Sequence, residues 1–287
     1  MARECINIAF SCNNNWVDKL AVTLVSILKH SNVLDNYKFF VLDGGITQEN
    51  KQKLAKIKSK TKFEIEYLKV NREIFSNVPL NNFFTIETYF RLKLPSLVNV
   101  DKLLYLDVDI AVKKNIAKLF SIDLKEHYAG AVIDESSYYK KFHKLPIKNY
   151  FNAGVLLLNL KKIRKDNLEE KFFDFIKYNS DKICWVDQCV LNAVFNENVM
   201  FLDKIYNFQH SDFLPDTDKK YKKLKNNIVI VHFVTSRKPW NFEKSLNFVL
   251  EYYYYYLQTP FRWKFFTHFI NKMKRKIRLS IILLDIN

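Results

Sequence analysis

Apolar and polar positions along the first hundred residues fall into blocks whose period switches between that of a strand and that of a helix. Ile6 to Ser11 is a short apolar run, closed by the polar loop Cys12-Asn13-Asn14-Asn15. From Trp16 to Lys29 the apolar residues recur at helical spacing, so the two blocks predict a strand followed by a helix. Lys38 to Leu42 predicts a second strand, ended by Asp43-Gly44-Gly45, and Thr47-Gln48-Glu49-Asn50 opens a helix with N-cap character. Phe63 to Leu68 alternates as a third strand, which gives the rhythm of an open, mainly parallel sheet.

The pattern from Thr85 to Leu97 predicts a helix that stops at Pro95. It leads into Leu103-Leu104-Tyr105-Leu106, an apolar run that ends abruptly in Asp107-Val108-Asp109. Tyr128 to Ile133 predicts another strand, ending at Asp134. In Tyr150-Phe151-Asn152-Ala153-Gly154 a polar, small-residue turn enters the apolar strand Val155 to Asn159. Leu160 to Tyr178 reads as one charged amphipathic helix, and Trp185-Val186-Asp187-Gln188 opens an apolar helix that runs through Phe195. Ile228 to Phe233 is a last core strand, delivering His232 and then Thr235-Ser236-Arg237-Lys238-Pro239-Trp240.

Composition narrows the class. With 287 residues, 48% of them hydrophobic, the chain has ample material for one large α/β domain or two smaller ones, and disorder is excluded. Its net charge of +16 favours anionic or phosphate-bearing partners without choosing among them. Cys5, Cys12, Cys184 and Cys189 match no zinc spacing and read as reduced thiols of a cytosolic protein. Met1-Ala2-Arg3-Glu4 leads directly into the first strand, and no secretory signal is expected there.

Several residues carry candidate chemistry. An extended backbone sends Asp107 and Asp109 to one face, where two hard oxygen ligands suit a divalent cation; a solvated turn after a strand fits the same residues. In a doubly wound sheet the strand carboxyl ends line the ligand crevice, which brings the Asn13 to Asn15 loop and the Asp pair together. Gly154 indicates close backbone approach or tight sheet packing. Taken alone, Asp187 is a helix-end charge and His232 a satisfied core residue.

The ordered set is more specific than its parts. The Asn-rich loop, Tyr89-Phe90-Arg91, Asp107-Val108-Asp109, Phe151-Asn152-Ala153-Gly154, Asp187-Gln188, and His232 followed by Lys238-Pro239-Trp240 resemble the bacterial branch of glycosyltransferase family eight over residues 5 to 242. This branch builds α-linked galactose or glucose onto lipooligosaccharide. The resemblance implies an α/β GT-A fold, a Rossmann-like, mainly parallel mixed sheet flanked by helices, that works on UDP-hexose with Mn²⁺ or Mg²⁺. Carried over by position, Asp107, Asp109 and His232 hold the metal, Lys238 meets the diphosphate, and Asn13 and Asn15 hold the uridine. Arg91, Asp134 and Asn152 fall on donor-sugar positions. Asp187 and Gln188 fall at the reacting face, Gln188 nearest the anomeric carbon. The family commonly has an acid where Asn13 stands and often a glycine where Thr235 stands.

Residues 1–245 are thus expected to form the catalytic domain and 246–287 a basic, aromatic C-terminal helical tail. From Tyr252 to Leu284 there is no acidic residue, while Arg262, Lys264, Lys272, Lys274, Arg275, Lys276 and Arg278 are interleaved with Tyr252 to Tyr256, Phe261, Trp263, Phe265, Phe266 and Phe269. That composition suits a segment lying on an anionic bilayer, at the cytoplasmic face of the inner membrane where a lipid-linked acceptor is found. A basic helix packing its aromatics on the domain has the same composition, and no nucleic-acid module accompanies it. The expected activity is retaining transfer of a hexose, galactose ahead of glucose, onto a lipooligosaccharide core. A UDP-sugar hydrolase and a non-catalytic membrane- or nucleic-acid-binding protein on a transferase fold are its rivals.

Overall fold

A computed structural model of the protein describes residues 5–81, 84–135, 145–210, 217–234, 238–241 and 246–264. Strands β1 (Ile6–Cys12), β2 (Asn36–Asp43) and β3 (Lys62–Lys69) form where short apolar or alternating runs stand between polar loops. β4 (Lys102–Leu106), β5 (Ile110–Val112), β6 (Ala129–Ile133), β7 (Phe151–Asn159), β8 (Val199–Phe201), β9 (Phe208–Gln209) and β10 (Ile230–His232) complete the set. Seven of them make one sheet in the order β3-β2-β1-β4-β7-β6-β8. Pairing is parallel from β3 through β4 and between β6 and β8, and antiparallel on both sides of β7, so the sheet is mainly parallel and mixed.

The central strands of the sheet are buried on both faces. Ile8, Phe10, Leu104 and Leu106 point into one apolar cluster, and Ala9, Leu103 and Tyr105 into the other. The helix Val17–Lys29 covers the first face and is itself almost wholly buried. A second sheet, β5-β10-β9, lies beside the main one. Asp107-Val108-Asp109 is the link by which the chain leaves β4 in the first sheet and enters β5 in the second. Strand order reverses at β1/β4, whose parallel register pairs Ile8 with Leu104 and Ala9 with Tyr105, so the loops after both strands open at the same edge.

Three expectations change. The segment before β4 is a 3₁₀ stretch, Ile86–Lys93, followed by the α-turn Leu94–Leu97, with Pro95 in its first turn. Proline lacks an N–H that this position does not need, so it starts the turn and does not stop a helix. Leu160 to Tyr178 is two helices, Leu160–Lys165 and Leu168–Tyr178, broken at Asn167, whose φ of 52° lies in the left-handed region that Asn tolerates. Phe151 to Gly154 is no turn; it belongs to β7, where the register with β6 slips between Ala131 and Val132.

The C-terminal helix Leu246–Tyr256 packs against the domain: Phe248, Tyr252, Tyr253, Tyr255, Tyr256 and, beyond it, Phe261 are all buried in the larger cluster. Leu250, Tyr254, Leu257 and Trp263 stay exposed. Residues 265–287 lie outside the described residues. Tyr252 is 1% exposed and its hydroxyl meets no hydrogen-bond partner among the described residues. Tyr252→Ala should cost about 3–5 kcal/mol in urea denaturation. Tyr252→Phe, which removes only the unsatisfied hydroxyl, should be neutral or stabilising; a comparable loss in both variants would contradict this packing.

Candidate active site

The two ends of the Asp-Val-Asp link are fastened from behind. Buried Thr23 on the first helix donates from its hydroxyl toward Val108 O (3.1 Å) and Ile110 O (3.0 Å), and Val112 N–H donates to Ser26 Oγ (2.9 Å). In the second sheet His232 pairs with Ile110, and Phe233 N–H donates to Asp109 O over 3.0 Å. That pairing brings the imidazole to the acids. His232 Nε2 lies 3.2 Å from Asp109 Oδ1 and 3.7 Å from Asp107 Oδ2, and one ligand atom from each residue falls within 4.8 Å of the others. Adjacent donors on a small octahedral cation with bonds near 2.1 Å stand about 3 Å apart, so the spacing suits such an ion.

Gly154 makes the meeting possible. A Cβ there would stand 2.2 Å from His232 Cε1 and 2.8 Å from Asp107 Oδ2. The close approach inferred from this glycine is therefore made by the two candidate ligands themselves.

Charge is balanced residue by residue. Lys238 Nζ is 2.6 Å from Asp109 Oδ2 and donates to Phe233 O at 2.6 Å. Burial pushes the Asp109 carboxyl upward, yet Lys238 and His232 outweigh it and hold it well below the ordinary carboxylate range. Arg91 is buried and stacked over Tyr105, its guanidinium 4.1 Å from the ring centre. It donates to Asp107 Oδ1 (2.7 Å), Ala153 O (2.6 Å) and Thr88 O (3.1 Å). Its Nε is also 2.9 Å from Asp187 Oδ2, an ion pair without a directed hydrogen bond, because the single Nε hydrogen points at Thr88. Burial works against the Arg91 charge, but Asp107 and Asp187 raise its affinity for the proton further. Asp187 is 2% exposed; burial pushes its carboxyl up to about 7, with Arg91 opposing and Asp107 adding to the rise.

Asp187 and Gln188 enter the site at the start of helix Val186–Phe195, where Val186 has a φ of 40°. A left-handed β-branched residue costs on the order of 1–3 kcal/mol, and the helix start is held there by its surroundings. Gln188 Oε1 accepts from Ala153 N–H (2.9 Å), and its Nε2 donates to Asp134 Oδ2 (3.3 Å). Asn152 Nδ2 donates to the same Asp134 oxygen (3.2 Å), and Asn152 Oδ1 accepts from Gly154 N–H (3.0 Å). The slipped register of β7 thus frees the N–H groups of Ala153 and Gly154 for these two side chains.

At the end of β1, Asn13 Nδ2 donates to Glu87 Oε2 (3.1 Å), and its Oδ1 accepts from the N–H of exposed Asn15 (3.0 Å). Glu87 is buried and also accepts from Arg72. An acid at position 13 would face this carboxylate, which accounts for the amide here. Thr235 lies outside the described residues. Nine of the eleven predicted residues are thus joined by direct contacts or through Asn207, and Asn13 and Asn15 belong to the Glu87 cluster at the end of β1. Sequence reading missed Thr23, Ser26, Tyr105, Glu87 and Asn207; buried polar positions on the apolar first helix were the available signal for Thr23 and Ser26.

A mixed sheet with a ligand crevice at the β1/β4 reversal and an Asp-x-Asp link facing a histidine define a GT-A glycosyltransferase. The chain belongs to the family described as Glycosyl transferase family 8, whose model matches residues 7–244. It is 29% identical to General stress protein A of Bacillus subtilis over 88% of this chain and 93% of that protein. It is 28% identical to the lipopolysaccharide 1,2-glucosyltransferase of Escherichia coli K12, covering 83% and 73%. The crystal structure of the galactosyltransferase LgtC with donor and acceptor sugar analogues superposes with a TM-score of 0.74 at 28% identity, covering 88% and 96%.

Gly154→Ala should displace His232 and Asp107 and abolish metal binding in a chain that still folds. Mn²⁺ titration followed by electron paramagnetic resonance, with circular dichroism as the fold control, checks this; unchanged affinity rules out the close-approach account.

Proposed function

We propose that the protein is a metal-dependent retaining transferase that moves a hexose, galactose ahead of glucose, from a UDP-sugar to a lipooligosaccharide or lipopolysaccharide core. The new linkage is α. The observation that carries this reading is the meeting of Asp107, Asp109 and His232 over Gly154, with Lys238 beside them. The relatives add the acceptor class: the Escherichia coli enzyme is a lipopolysaccharide glucosyltransferase and LgtC a galactosyltransferase.

Asp107, Asp109 and His232 would hold Mn²⁺ or Mg²⁺, two carboxylates and an imidazole being a donor set that suits either ion. When bound, the cation neutralises charge that develops on the diphosphate leaving group, worth several kcal/mol. Lys238 brings a point charge to the same phosphates. Asn13 and Asn15 hold the uridine. Arg91, Asp134 and Asn152 orient the hexose, with Asp187 paired to Arg91 behind them.

Retention follows a front-face path. Gln188 has its carbonyl oxygen on Ala153 N–H, and Asp187 is turned against Arg91, so neither is presented as a nucleophile. The bond from the anomeric carbon to phosphate breaks, the acceptor oxygen bonds on the same face, and the acceptor's proton passes to the departing phosphate oxygen. Gln188 and Asp187 hold the reacting face in place.

Residues 1–245 form the catalytic part in this reading, and 246–287 meets an anionic membrane surface at the cytoplasmic face. No described helix is long and apolar enough to cross a membrane. Tyr254, Leu257 and Trp263 are exposed beside Arg262 and Lys264, and further basic residues follow in the sequence.

Incubation with a panel of UDP-sugars and terminal-sugar acceptors, read by mass spectrometry and NMR, should give an α-linked hexose product only when Mn²⁺ or Mg²⁺ is present. Asp109→Ala should lower kcat/KM at least about a hundredfold with the fold intact. Quantitative free hexose without acceptor dependence would show a hydrolase instead. Deleting residues 265–287 should reduce sedimentation with phosphatidylglycerol vesicles and leave turnover of a soluble acceptor unchanged; equal sedimentation would count against the tail's role.

A further inference from the structure

The ring nitrogen of His232 that faces away from Asp107 and Asp109 meets a residue that no sequence motif contains. Nδ1 lies 3.1 Å from Oδ1 of Asn207, and Asn207 Nδ2 donates to Asn152 Oδ1 over 2.9 Å. Asn207 is 1% exposed, Asn152 6% and His232 4%, so water does not compete for these groups. The amide has one orientation: Nδ2 is committed to an oxygen that also accepts from Gly154 N–H, which leaves Oδ1 toward the ring. A carbonyl oxygen accepts and cannot donate. His232 therefore carries a hydrogen on Nδ1, the arrangement that leaves Nε2 to serve as a ligand on the side of the two acids.

The backbone explains how Asn207 reaches this place. It directly precedes β9, which runs parallel to β10 with Phe208 opposite Val231 and Gln209 opposite His232. His210 N–H donates to His232 O over 2.8 Å and closes the same pair. Asn207 is thus anchored along the strand that carries the histidine.

We propose that Asn207 is a positioning residue that presents His232 Nε2 to the cation and ties it, through Asn152, to Asp134 and Gln188. The inference rests on the metal reading given above. Imidazole ligands owe their orientation and donor strength to the partner of the second ring nitrogen, and loss of such a partner typically weakens metal binding ten- to a hundredfold.

The test is a double-substitution cycle on Mn²⁺ affinity, measured by calorimetry on the full chain, with thermal melts for each variant. Asn207→Ala should weaken Mn²⁺ binding about ten- to a hundredfold. In a His232→Ala background the same change should add less than about twofold, because its route to the metal is gone. Asn207→Asp, which keeps an acceptor for the Nδ1 hydrogen, should bind several-fold more tightly than Asn207→Ala. Unchanged affinity in Asn207→Ala, or an equal loss with and without His232, overturns the proposal. Absence of Mn²⁺ binding by the unaltered chain removes the metal reading and this inference with it.

Discussion

Three carboxyl groups, those of Asp107, Asp109 and Asp187, are drawn to one end of the sheet, and the site depends on how their charge is offset. Placing like charges together in a largely dry crevice is costly unless each has a partner of opposite sign or a proton. Each acid is handled differently. Asp107 has the guanidinium of Arg91, Asp109 has the ammonium of Lys238, and Asp187 shares Arg91 while burial favours its protonated form. The two cations come from well-separated parts of the sequence, so the site closes only when the 3₁₀ stretch before β4 and the segment after β10 are both in place.

Two bridges then join the metal-ligand candidates to the sugar-facing residues. One passes through Arg91, from Asp107 to Asp187. The other passes from His232 through Asn207 and Asn152 to Asp134 and Gln188. Both run through buried groups, where hydrogen bonds are stronger and unmade ones more costly than in water. The slipped register of β7 is the common platform: Ala153 and Gly154 give their N–H groups to Gln188 and Asn152, Ala153 gives its carbonyl to Arg91, and the absent Cβ of Gly154 admits the histidine.

What the sequence made legible follows from what is local in it. Strands β1 to β4 and the helix after β1 are set by periodicity, and the Asp-x-Asp pair by residue chemistry at neighbouring positions; His232, a satisfied core residue on its own, stood out only through the ordered set of motifs. The errors came where tertiary contacts overrode local pattern. Asn152 and Gly154 look like turn residues until the facing strand β6 slips in register and their side-chain and backbone groups find partners across the sheet. Pro95 reads as a helix stop because its neighbours do not reveal that a new turn begins there. Asn207 stands in an apolar run with no motif around it, and its importance is visible only once β9 lies against β10.

The packing of the C-terminal helix has a consequence for how the chain reaches this structure. Tyr256 hydroxyl donates to Asp18 on the first helix across 238 residues of sequence, and Lys29 donates to Gln258. Closing so long a loop carries a large entropic cost that local contacts cannot repay early. During synthesis the first βα units emerge with one side of their helix bare of the aromatic residues that finally cover it. They wait, with apolar surface exposed, until the Tyr252 to Phe261 segment has left the ribosome. The last part of the described chain to be made therefore completes the shelter of the first.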